Sequence, residues 1–108
     1  MVKALPKGPL RAPAEEARVS EPPRLDWVEV GKAAFYNVQL FRNGRKILSA
    51  WPVESRLRLR RAWRWNGRRW RLAPATYRWF VWPAYKGGGK VRYGKPLGHS
   101  DFDVASSR

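Results

Sequence analysis

From Leu25 onward, apolar side chains come in short β-branched and aromatic runs separated by Gly, Pro and Asn, and no helix of three turns is discernible. Phe35 to Arg42, then Asn43-Gly44, then Arg45 to Trp51 predicts a β-hairpin, because Asn-Gly readily occupies the two positive-φ positions of a type I′ turn. A two-residue loop fixes the register: Arg42 opposite Arg45, Phe41 opposite Lys46, Leu40 opposite Ile47. A second Asn-Gly at 66–67 sets Trp63 opposite Trp70 and Arg64 opposite Arg69. The aromatic pair supports this hairpin and the arginine pair opposes it.

Between the hairpins, Arg56-Leu57-Arg58-Leu59-Arg60 alternates strictly, the pattern of a half-buried strand with its leucines inward and its arginines outward. Tyr77 to Trp82 is apolar on both parities, as expected of a central strand, and Pro83 is expected to end it. Residues 86–98 carry five glycines and read as a long mobile loop before a last strand around Ser100 to Val104. About seven short strands with regular turn signals predict an all-β fold, a single antiparallel β-sandwich. Its expected core is Leu25, Trp27, Tyr36, Val38, Leu40, Leu57, Leu59, Tyr77, Trp79 and Val81. Five of the nine prolines precede residue 24, so residues 1–16 are expected to form an extended, disordered Pro-rich tail, and residues 17–105 the domain.

Composition supports a folded chain: 108 residues suffice for one domain, and 44% hydrophobic residues with seven Trp are far too much apolar mass for disorder. The absence of Cys removes disulfides, thiolate metal sites and a cysteine nucleophile. No apolar run reaches membrane-spanning length, and the opening residues are broken by prolines before a signal-peptide core, so no membrane insertion is expected.

Charge is unevenly placed. Residues 1–30 balance, whereas residues 31–100 hold seventeen basic side chains and one acid, Glu54. Arginine suits planar recognition of phosphate or carboxylate, although a GC-rich genome encodes the same bias.

In order and distance these residues resemble a fibronectin type III domain, or a close immunoglobulin-like relative, over about residues 17–105. Leu25-Asp26-Trp27 after a Pro-Pro resembles that family's second strand with its buried Trp, and Ala34 to Val38 its third, with an inward Tyr and Val. Leu72-Ala73-Pro74-Ala75-Thr76-Tyr77 resembles the entry to the sixth strand, one residue shorter than usual, where the Tyr turns a corner by bonding upstream backbone. The resemblance implies a spacer, adhesion or ligand-binding module, most often outside the cell, without a shared catalytic site.

The inventory of reactive groups agrees with a non-enzymatic reading. The one histidine, His99, is followed by Ser100 and Asp101, but triad members converge from separate elements, and neighbours on a strand point to opposite faces. One His and scattered acids give no metal site and imply no cofactor. Lys86-Gly-Gly-Gly-Lys90 lacks the Gly-Lys-Ser/Thr ending of a phosphate-binding loop.

The remaining candidate is the Arg/Trp block at 56–71. Alternation places Arg56, Arg58 and Arg60 on one outward face, and Arg64, Arg68 and Trp65 at the hairpin tip are expected to join them. Trp65 is expected outside, with Arg68 stacked on it. The expectation is a structural or adhesion module that engages an anionic polymer (acidic glycan or nucleic acid) or a partner protein through this face. The alternatives are a small basic nucleic-acid-binding protein, its aromatics stacking bases, and a subunit of a larger assembly that covers open strand edges.

Overall fold

A computed structural model describes residues 8–106. The described chain is all-β, with eleven strands in three sheets. Among the described residues no helix is long and apolar enough to cross a membrane. The first sheet joins β1 (Leu10–Ala12), β3 (Arg24–Trp27) and β6 (Arg56–Arg58), with β3 in the middle. The second runs β2 (Ala17–Val19), β11 (His99–Val104), β9 (Ala75–Gly87), β4 (Phe35–Arg42), β5 (Arg45–Ala50), and β10 (Lys90–Tyr93) pairs with the far end of β9. The third is the hairpin of β7 (Ala62–Trp65) and β8 (Arg68–Arg71).

The first two sheets share one core. Leu25 and Trp27 of β3 meet Tyr36, Val38 and Leu40 of β4 and Tyr77, Trp79 and Val81 of β9, all at most 3% exposed. Trp27 sits edge-on to Tyr36 at 5.4 Å and 6.1 Å from Trp79, so one indole ties the two layers together. Nine of the ten expected core residues are buried, and Leu57, on the edge strand β6, is half-buried.

Both Asn-Gly turns form as expected, with φ of 53° and 75° at Asn43 and Gly44 and 55° and 75° at Asn66 and Gly67. The first hairpin keeps its register for two pairs and then shifts: Leu40 faces Leu48, not Ile47. Ile47 is the extra residue of a β-bulge, and its side chain is buried in the core.

Other expectations are corrected. Strand pairing begins at Leu10, earlier than residue 17: β1 pairs with β3, and the Glu15 carboxylate accepts the Asp101 N–H at 2.7 Å. Of the expected tail, residues 1–7 lie outside the described residues. The large sheet is not purely antiparallel, because β2 adds to β11 in parallel. Pro83 does not end its strand. Tyr36, opposite it, gives its N–H to the Pro52 carbonyl on the other side, so β4 asks no donor of Pro83. The glycine-rich stretch is a third hairpin: Gly88 and Gly89, at φ of 59° and 75°, turn β9 into β10. The count is eleven rather than about seven; the strands without a counterpart in the sequence pattern are β1, β2 and β10, pieces of three or four residues that carry no clear alternation.

Candidate anion-binding face

Strand alternation does place Arg56, Arg58 and Arg60 outward, because Leu59 is buried and Leu57 half-buried on the inner side. Arg58 lies opposite Arg24, and Arg56 opposite Asp26. Asp26 is engaged by Arg24 through two hydrogen bonds of 2.8 and 3.1 Å, and these, with the carboxylate's charge, raise the Arg24 pKa. Arg56 pairs with Glu54 at 3.0 Å. Among the described residues Arg58 and Arg60 have no carboxylate within ion-pair distance.

The β7–β8 hairpin divides the remaining candidates between its two faces. Directly paired residues share a face, so Arg64 goes with Arg69, and Ala62 with Arg71, on the outer side. Trp63 with Trp70, and Trp65 with Arg68, take the inner side. Arg64 and Arg68, expected together, therefore point to opposite sides. Trp65 is not outside: it is half-buried against the core, with Lys46 Nζ 5.8 Å from its ring. Arg68 covers Trp70 at 4.7 Å instead, and Arg45 and Arg42 approach the same indole at 5.4 and 5.8 Å. Burial of a hairpin this short needs its tryptophans on the protein side, and the cations fill the gaps between them.

The outer side of the hairpin lines an open cleft of about 580 Å³ with Arg61, Arg69 and Arg71, facing Ser20, Glu21 and Ser106. Arg61 reaches Glu21 at 3.7 Å, while Arg69 and Arg71 have no ion pair among the described residues. Arg69 and Arg71 belong with Arg64 by hairpin parity alone, a signal already present in the second Asn-Gly register. Two groups of outward guanidiniums thus result, Arg58 and Arg60 on and beside β6 and Arg64, Arg69 and Arg71 on the outer side of the hairpin, each suited to bidentate contacts with phosphate, sulfate or carboxylate groups.

The Gly-His-Ser-Asp run separates as strand geometry demands. His99 is exposed, 5.5 Å from Phe80; Ser100 is buried; Asp101 turns out to Arg78, which holds it by two hydrogen bonds of 2.8 and 3.1 Å. Searches of protein-family models, curated proteins and solved structures find no match for this chain.

Proposed function

We propose that the chain is a fibronectin type III-like β-sandwich and a non-enzymatic binding module that engages an anionic polymer through its arginine face. Three features support the fold reading. The order β11-β9-β4-β5 against β1-β3-β6 parallels the two-layer arrangement of immunoglobulin-like sandwiches. Trp27 is buried between the layers. Tyr77 donates its hydroxyl to the Ala73 carbonyl, four residues upstream, in the manner of a tyrosine corner. In this reading the β7–β8 hairpin and β10 are additions to the common frame.

The observation that carries the functional reading is that the outward guanidiniums of Arg58, Arg60, Arg64, Arg69 and Arg71 have no carboxylate within ion-pair distance among the described residues. Trp63, Trp65 and Trp70 are turned to the protein side, so this face supplies charge without an exposed stacking ring. Charge density then governs its ligand, and an acidic glycan fits that demand. The test is heparin affinity of Arg56→Glu/Arg58→Glu/Arg60→Glu and, separately, of Arg64→Glu/Arg69→Glu/Arg71→Glu, with folding followed by circular dichroism. Loss of binding in folded variants supports the proposal; wild-type affinity in both overturns it.

A further inference from the structure

The side chains that the arginine face lacks are found on the opposite layer. Trp51 and Tyr93 are 57% and 46% exposed, and the Trp51 indole N–H donates to the Tyr93 hydroxyl at 3.1 Å. Trp51 follows the last residue of β5 and Tyr93 ends β10, and at this end the strands lie in the order β5-β4-β9-β10. The hydrogen bond therefore spans two intervening strands, so both side chains lie along the sheet rather than standing away from it. Beneath them, Ala84 of β9 is flanked by Phe35 on one side and Tyr93 on the other, and the two rings meet edge-on at 6.2 Å. The same outer face continues through Trp82 and Phe80, stacked at 5.7 Å, to Phe41, 5.4 Å from Phe80.

An exposed aromatic arch lying along a sheet face takes planar π-systems, and the surrounding charge selects among them. No Asp or Glu occurs between Ser55 and Ser100. The adjoining β9–β10 hairpin carries Lys86, Lys90 and Arg92. Lys86 lies on the arch side, 5.8 Å from the Phe35 ring; Lys90 and Arg92 are on the other side of the two-stranded ribbon, so a backbone passing the β10 edge meets cations on both sides. Aromatic platforms bordered by cations are the chemistry of sequence-tolerant single-strand binding.

We propose that the Trp51–Tyr93 arch stacks the bases of single-stranded nucleic acid, with Lys86, Lys90 and Arg92 meeting its phosphates. This site is independent of the arginine face. Duplex DNA, whose bases are already stacked on one another, is disfavoured here.

The experiment is a fluorescence-anisotropy titration of the full chain with labelled oligo-dT and oligo-U of about ten nucleotides, a duplex of equal length, and heparin. Trp51→Ala and Tyr93→Ala each weaken single-strand binding about tenfold or more while leaving heparin affinity unchanged. Trp51→Phe retains most of the affinity, because a ring remains. The triple arginine reversal at 56, 58 and 60 shows the converse pattern, so failure of one site is distinguishable from failure of the other. Wild-type single-strand affinity in Trp51→Ala and Tyr93→Ala overturns the proposal. So does a duplex that binds as tightly as the single strand, or heparin affinity that falls in parallel in both alanine variants.

Discussion

The Trp63 indole N–H donates a 2.7 Å hydrogen bond to the carbonyl of Ile47, the residue that β5 bulges. The bulge interrupts the β4–β5 ladder at Ile47, and the β7–β8 hairpin supplies a donor for its carbonyl. Trp63→Phe keeps an aromatic ring and removes that donor. It is expected to lower stability by about 1–3 kcal/mol, the range for a buried acceptor left unpaired, measured by urea denaturation.

Tyr77 is fully buried except for what its hydroxyl reaches. That hydroxyl donates to the Ala73 carbonyl and accepts from Arg42 Nη1 at 3.0 Å, while the same Arg42 nitrogen donates to the Arg71 carbonyl at 2.8 Å. Tyr77→Phe leaves a carbonyl and a guanidinium N–H without their partner. The expected loss is about 1–3 kcal/mol, or a melting temperature lower by about 4–8 °C for each kcal/mol in a domain of this size.

Asp101 predicts a pH dependence. Its hydrogen bonds from Arg78 hold its pKa below the ordinary 3.8, with the charges of Arg78 and His99 acting the same way and partial burial opposing them. A carboxyl depressed in the folded state contributes stability that is present above its unfolded pKa and lost as pH falls through the folded value. Asp101→Asn is therefore expected to melt below wild type at neutral pH, with the gap closing below pH 3.8. Thermal melts across that range check it; a gap independent of pH refutes the assignment.

Ala84 is enclosed by two aromatic neighbours. It is fully buried between Phe35 and Tyr93 on the outer face of β9. Valine is the better strand former, yet Ala84→Val is expected to cost about 1–3 kcal/mol, because the added methyls separate the two rings. The denaturation midpoint decides between propensity and packing.

What was legible in the chain was what local chemistry determines. Asn43-Gly44 and Asn66-Gly67 fixed two turns and most of two registers, and alternation placed Arg56, Arg58 and Arg60 correctly. What was not legible depended on partners distant in sequence. A simple hairpin register puts Trp51 opposite Tyr36, on the core side; the bulge at Ile47 shifts it opposite Asn37 and turns it out to solvent. Trp65 reads as exposed at a hairpin tip, but its parity with Trp63 aims it at the body of the protein. Pro83 reads as a terminator until the N–H of Tyr36 is known to point elsewhere.

The parallel pairing of β2 with β11 also orders events in time. Ala17, Arg18 and Val19 can pair only with Phe102, Asp103 and Val104, and Glu15 only finds the Asp101 N–H across 86 residues of chain. On a ribosome, β4, β5 and β9 emerge with their mutual partners already made, whereas the segment at 15–19 waits for the last strand. Contacts so far apart in sequence close slowly. The part of this sheet synthesised first is the part that docks last, and until then the free edge of β11 is the strand most open to pairing with another chain.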